Sequence, residues 1–294
     1  RRLVGLESID EDILFGGQGE NGKVLPEAMY SVNMVLWYKD GTKIEAENRS
    51  FTIDLSPPSG EVLSEYTVFS PDGDGRKDKI RFFQELSREE HWEARIEDTD
   101  GKIIREYSWE DELVAINDWD GRNEKGSLVP DGLYYYYCIS EDKAGNIGRT
   151  NSVQFRKDNS QAEILLSRNL DAFSPNADAR RDELLFFTEI QDREEVKDFH
   201  FRIIDAEGRV VFTKEGESVN SQFSWDGKNN VGIIVADGQY KAELELEYKN
   251  GNIASSESKS FLLDTEAPLA DIVIDEFILS PDGDGMKDTI FIQQ

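Results

Sequence analysis

The chain repeats itself with a period of about 105 residues, and that period limits the possible folds more than any other feature does. The run Phe69-Ser70-Pro71-Asp72-Gly73-Asp74-Gly75 returns as Phe173-Ser174-Pro175-Asn176-Ala177-Asp178-Ala179 and as Leu279-Ser280-Pro281-Asp282-Gly283-Asp284-Gly285. A second marker, Trp119-Asp120-Gly121, returns as Trp225-Asp226-Gly227 and, weakened, as Phe15-Gly16-Gly17. About ten residues later come Val129-Pro130-Asp131-Gly132-Leu133-Tyr134, Val235-Ala236-Asp237-Gly238-Gln239-Tyr240 and Leu25-Pro26-Glu27-Ala28-Met29-Tyr30. Independent markers that share one period imply an array of equivalent units.

Unit boundaries fall where strand patterning gives way to turn residues. These places are Ile53-Asp54-Leu55-Ser56-Pro57-Pro58, Lys157-Asp158-Asn159-Ser160 and Leu263-Asp264-Thr265-Glu266-Ala267-Pro268. The expected divisions are 1–60, the C-terminal part of a repeat; 61–160 and 161–268, two whole repeats; and 269–294, the N-terminal part of another. Gln294 aligns near Gln84, so the two partial pieces together still lack the stretch equivalent to about 85–104. The natural polypeptide is therefore expected to continue beyond Arg1 and Gln294, with its partial ends the least ordered. Short junctions, two of them with proline, are stiff and predict an extended array.

Within a unit the apolar period is two. Tyr240, Ala242, Leu244 and Leu246 alternate with Lys241, Glu243, Glu245 and Glu247, the pattern of a half-buried strand. The stretches Arg95–Ile104 and Arg202–Val211 read as one hairpin, turning at Asp100-Gly101 and Glu207-Gly208. Six to eight short strands per unit, with no 3.6-residue stripe, predict an all-β protein of tandem antiparallel β-sandwiches.

Composition closes several function classes. With 61 acidic against 33 basic residues the net charge is −28, which repels a phosphate backbone, so no nucleic-acid partner is expected. No apolar run approaches the ~20 residues of a membrane span. One cysteine, Cys138, excludes an internal disulfide, and His91 and His200 are too far apart in sequence to suggest a histidine metal site. Cys138 sits in an alternating tyrosine strand, where a small buried hydrophobe is expected, and no nucleophile–base arrangement stands out, so no enzyme is expected. The start, Arg1-Arg2-Leu3-Val4-Gly5-Leu6-Glu7, has no apolar leader segment.

The Ser-Pro loops are the candidate sites. Asp72, Asp74 and Asp78, with the carbonyl of Arg76 between them, gather hard oxygens of the kind calcium takes. The second loop keeps Asn176, Asp178 and Asp182 while losing both glycines, and the third has Asp282, Asp284 and Asp288. A calcium site and a turn capped by its own aspartates both fit this pattern. Asp54, Asp158 and Asp264 each lie 18 residues before a loop and are candidates to bridge to it. Trp119 and Trp225 read as core plugs, whereas Trp92 and Trp109 lack tryptophan counterparts and are candidate carbohydrate platforms.

The ordered set of Ser-Pro-Asp-Gly-Asp-Gly, the Ile-x-Asp-x-x-Gly hairpin, Trp-Asp-Gly, Val-x-Asp-Gly-x-Tyr and Asp-Thr-Glu-Ala-Pro resembles the Ig-like domain of the flagellar hook-capping protein (FlgD type). It also resembles related Ig-like repeats of secreted bacterial surface proteins. The resemblance implies Ig-like sandwiches and a structural or adhesive rod in the periplasm, secreted, or at the cell surface. Other domains of the same longer chain would be its partners. A glycan- or protein-binding accessory module and a scaffold for a flagellar or fibrous assembly are the alternative readings.

Overall fold

The computed structural model describes residues 13–112, 114–192, 195–267, 269–275 and 277–293; the first seven residues, Pro268 and Gln294, on which three of the readings above draw, lie outside the described residues. Every named element among the described residues is a β-strand, and no helix there is long and apolar enough to cross a membrane. The chain divides into two compact units, residues 1–160 and 161–294.

The first unit opens with two antiparallel ladders. Strand β1 (Ala28–Val32) pairs with β4 (Arg49–Ile53), and β2 (Val35–Trp37) pairs with β3 (Lys43–Glu45). A sandwich of nine strands follows: β5 (Gly60–Ser64), β6 (Val68–Phe69), β7 (Ile80–Leu86), β8 (His91–Asp98), β9 (Ile103–Glu110), β10 (Ile116–Trp119), β11 (Gly132–Glu141), β12 (Ile147–Arg149) and β13 (Val153–Lys157). One sheet has the order β10-β7-β5; the other runs β6-β13-β11-β8-β9, with β12 also paired to β11.

The second unit repeats the plan with β14 (Ile164–Arg168), β15 (Ala172–Phe173), β16 (Leu184–Ile190), β17 (Val196–Asp205), β18 (Val210–Gly216), β19 (Gln222–Trp225), β20 (Gly238–Tyr248), β21 (Ile253–Glu257) and β22 (Phe261–Leu263). Its sheets are β14-β16-β19 and β15-β22-β20-β17-β18, with β21 on β20. A short ladder of β23 (Val273–Ile274) and β24 (Ile292–Gln293) follows. The all-β expectation holds. Each sandwich has one strand more than the upper end of the expected range, because β6 and β15, only two residues long, pair in parallel with β13 and β22. Two residues carry no readable periodicity.

The predicted hairpins form as β8–β9 and β17–β18, each with a register shift just before its turn, at Ile96/Glu97 and Ile203/Ile204. Strand alternation then decides the core. Tyr240, Ala242, Leu244 and Leu246 point inward and the intervening charges outward. In the first sandwich the equivalent strand buries Tyr134, Tyr136 and Cys138.

One end of each sandwich is closed by an aromatic plug. Trp119 lies 5.6 Å from Phe69, 5.7 Å from Phe155 and 5.4 Å from Tyr134 between ring centroids. Trp225 meets Phe173, Phe261 and Tyr240 at 5.5, 5.9 and 5.5 Å. Each indole N–H donates to a carbonyl three residues on, Arg122 at 2.8 Å and Lys228 at 2.7 Å, so a buried polar atom is satisfied. The tyrosines close a second link: the hydroxyls of Tyr30, Tyr134 and Tyr240 donate to the carbonyls of Pro26, Pro130 and Ala236.

The two sequence markers touch. Gly121 has φ +76°, and a Cβ there would stand 2.7 Å from Cγ of Pro71; Gly227, at φ +77°, has the same relation to Pro175. The Ser-Pro loop therefore lies on the Trp-Asp-Gly turn, and only glycine gives both the left-handed backbone and the clearance. Gly227→Ala combines that backbone cost with overpacking against the ring, so a loss of about 2–4 kcal/mol in urea unfolding is expected. A loss below about 1 kcal/mol would show that the proline ring yields freely.

Candidate functional site

In the two sandwiches the Ser-Pro loop joins a two-residue strand of one sheet to a seven-residue strand of the other, β6 to β7 and β15 to β16, and the third loop lies between β23 and β24. The loop is closed at its base by Ser70 N–H donating to the Lys77 carbonyl (3.1 Å) and Ser174 N–H to that of Arg181 (2.9 Å). Inside it, Asp78 accepts Gly73 N–H on one oxygen (2.7 Å) and Gly75 N–H on the other (2.9 Å). Asp72 accepts Asp74 N–H at 3.1 Å, and Asp74 accepts Arg76 N–H at 2.7 Å. Four amides thus turn toward three carboxylates, an anion-binding concavity whose anions come from its own side chains.

The other loops reproduce this set of bonds. Asp182 takes the amides of Ala177 and Ala179, both at 2.8 Å, while Asn176 and Asp178 take those of Asp178 and Arg180. Asp288 takes those of Gly283 and Gly285, while Asp282 and Asp284 take those of Asp284 and Met286. Within the first and third loops one carboxylate oxygen from each of the three aspartates lies within 4.8 Å of the others. A carboxylate oxygen that accepts an amide keeps a lone pair for a cation, so Asp72, Asp74 and Asp78, and Asp282, Asp284 and Asp288, fit the hard-oxygen demand of a divalent ion. The second loop, with the neutral Asn176 in the first place, offers one charge fewer. Arg76 enters the hydrogen bonding through its amide.

The linker carboxylates close turns of their own. Asp54, Asp158 and Asp264 accept the amides of Ser56, Ser160 and Glu266 at 3.1, 2.9 and 3.0 Å. What borders each Ser-Pro loop is the linker that leaves the same sandwich. Asp158 N–H donates to the Phe69 carbonyl at 3.0 Å, and Asp264 N–H to that of Phe173 at 3.2 Å.

The two extra tryptophans differ in burial. Trp92 is 1% exposed and donates its indole N–H to the Ser87 carbonyl. Trp109 is half-buried against the core, its ring stacked nearly parallel to that of Tyr107. Cys138 is buried, and burial pushes its thiol up to about 12, so it is not a thiolate at neutral pH. The His91 ring lies between Glu93 and Glu110, and the Ser140 hydroxyl donates to the His91 backbone carbonyl at 2.6 Å, away from the ring nitrogens.

Two features escaped the sequence reading. One is a buried polar network in which Gln84 Oε1 accepts from the Tyr136 hydroxyl and from Cys138 Sγ (3.2 Å), while Gln84 Nε2 donates to the Val114 carbonyl at 2.6 Å. The other is the buried Lys157, whose Nζ lies 2.5 Å from Asp131. Period-two patterning assigns such positions to the core without saying that their polar atoms find one another.

Residues 189–250 match the family model described as the FlgD Ig-like domain, so the resemblance read from the motifs holds over that part of the second sandwich. No curated protein matches the chain. Among solved structures it is similar to the tetra-tandem repeat in the extending region of a large adhesion protein, at 16% identity and a TM-score of 0.31. That match covers 82% of this chain and 58% of the other, so the chain spans under two thirds of that protein. Fibronectin(III)-like modules of CbhA from Clostridium thermocellum are 10% identical, with a TM-score of 0.37, 71% of this chain covered and 99% of theirs. A 1.5-MDa bacterial ice-binding adhesin is 12% identical, with a TM-score of 0.33 and coverage of 81% and 75%.

The second loop holds Ala177 at φ +66° and Ala179 at φ +68°, where the other loops have glycine. Left-handed backbone costs an L-residue about 1–2 kcal/mol, and glycine returns about half of that as chain entropy. Ala177→Gly with Ala179→Gly is therefore expected to raise the stability of the second sandwich by about 1 kcal/mol, read as a higher urea midpoint at unchanged slope.

Proposed function

We propose that this chain is a structural or adhesive spacer segment of a larger bacterial protein, exported to the periplasm, the medium or the cell surface, and that it separates and presents other modules of that protein. One observation carries the reading: the residues that recur between units are engaged in holding each sandwich together. Trp119 and Trp225 fill the plug, Pro71 and Pro175 cover Gly121 and Gly227, Tyr134 and Tyr240 tie down the turn before their strands, and the aspartates cap loop amides. What a repeat retains is what every copy needs, and here every copy needs its fold.

A spacer works by length and by staying soluble. Short junctions, two with proline, favour an extended array, and a net charge of −28 keeps neighbouring molecules apart. A globule of 294 residues would have a radius of gyration of about 19 Å. Small-angle scattering is expected to give a clearly larger value with an elongated distance distribution; a value near 19 Å overturns the spacer reading.

Calcium belongs to this proposal as a stabiliser of the first and third loops, held by Asp72, Asp74 and Asp78 and by Asp282, Asp284 and Asp288. It would neutralise three mutually repelling carboxylates and favour the folded loop. Thermal melts in chelator and then in millimolar calcium are expected to differ, with the difference reduced in Asp74→Ala and Asp284→Ala. An identical melt of the parent in both conditions leaves the loops as self-capped turns.

A further inference from the structure

The two sandwiches differ at a place where the fold imposes no requirement. Where the edge strand β9 of one sheet faces the edge strand β10 of the other, the first sandwich opens into a cavity of about 280 Å³ lined by Lys79, Arg105, Tyr107, Asp118, Asp120 and Arg122. Strand register identifies the counterparts in the second sandwich. Arg105 pairs with Ile96 as Phe212 pairs with Ile203, and Tyr107 pairs with Ala94 as Lys214 pairs with Phe201. Lys79 precedes the partner of Trp119 as Glu183 precedes the partner of Trp225. The second sandwich fills the place of Arg105 with an apolar side chain that packs on its core, and reverses the charge at the place of Lys79. The second sandwich keeps a cation at the place of Arg122, as Lys228, and has Lys214 at the place of Tyr107, so what is particular to the first sandwich is the pair Lys79 and Arg105.

Charge there is unevenly matched. Asp118 is engaged by Arg81, which donates to both of its oxygens at 2.8 and 3.1 Å. Arg105 and Arg122 reach their carboxylates, Glu124 and Asp120, only at 3.6 Å, beyond the length of a charge-assisted hydrogen bond, and donate instead to the carbonyls of Asn123 (3.4 Å) and Gly126 (2.8 Å), which leave their charge unneutralised. Lys79 makes no ion pair among the described residues. Three cations thus border one small opening on a chain of strongly acidic composition. Asp120 accepts the Arg122 amide at 3.2 Å on one oxygen and keeps the other, 3.6 Å from the Arg122 guanidinium, as an acceptor for hydroxyl groups, and Tyr107, packed on the core, supports the wall.

From this we infer that the cavity is a binding site for one unit of an acidic sugar, its carboxylate met by Lys79, Arg105 and Arg122 and its hydroxyls by Asp120. The volume lies at the low end of small-molecule sites, which suits a single ring. The inference is independent of the spacer reading, since a spacer needs no ligand and a ligand site needs no array.

The test is a calorimetric titration of the full chain with glucuronate, with glucose, acetate and sulfate as separate titrants, in low salt. The control carries Lys79→Glu and Arg105→Phe, the residues that the second sandwich has at these places, and its melting temperature is measured alongside. Glucuronate is expected to bind with a dissociation constant of about 1 mM, with glucose and acetate at least tenfold weaker and glucuronate binding lost in a control that melts like the parent. Three results overturn the site: no glucuronate binding, binding unchanged in the control, or acetate or sulfate binding as well as glucuronate. The last would reduce it to a general anion contact. Should the control melt early, Arg105→Gln alone replaces it, with the same loss expected and unchanged binding overturning the site.

Discussion

A proline ring resting on a left-handed glycine ties each sandwich together at one end. Pro71 and Pro175 come from the loop that crosses from one sheet to the other; Gly121 and Gly227 sit in the turn that crosses back. Beneath that contact lies the tryptophan plug, whose indole N–H is bound by the same turn. The loop cannot lift without uncovering the plug, and the turn cannot relax without displacing the ring. This explains why two sequence markers some 50 residues apart share one period: they are the two halves of a single contact.

The acidic loops show how a fixed geometry survives changes of residue. Three loops with different sequences make the same four side-chain-to-amide bonds. The geometry is set by the positions of the oxygens, so Asn176 serves in place of an aspartate and alanine is driven into backbone space that glycine occupies elsewhere. Charge is secondary to this arrangement. An extra anion in the first and third loops adds repulsion that the amide dipoles offset in part.

Much of this architecture is legible from the chain alone, for identifiable reasons. Strands such as β20 announce themselves through eleven residues of alternation, and hairpins through Asp-Gly and Glu-Gly turns. Trp119 and Trp225 read as plugs because they recur. The parallel pairing of β6 with β13 and of β15 with β22 does not show, since each joins residues almost 90 positions apart through strands of two residues. The Gln84, Tyr136 and Cys138 network is hidden for another reason: in the second sandwich the corresponding strand positions hold Thr188, Ala242 and Leu244, so the period offers no hint. Trp92 shows the limit of arguing from a missing counterpart, because its partner by register is Phe199, an equally buried aromatic.

The short parallel strands have a mechanical meaning. A sandwich pulled by its two ends receives force near β5 and β6 and passes it on through β13. Because β6 and β13 run in the same direction, tension draws them past each other lengthwise. Their bonds, Arg156 N–H to the Thr67 carbonyl at 2.9 Å and Asp158 N–H to the Phe69 carbonyl at 3.0 Å, then carry the load together and do not open one after another. The second sandwich places Leu262 N–H on Asp171 and Asp264 N–H on Phe173 in the same arrangement. Phe69 and Phe173, in these short strands, also touch the tryptophan plugs. The parallel pairing thus puts both bonds of each pair in shear, side by side, whenever a sandwich is pulled by its ends.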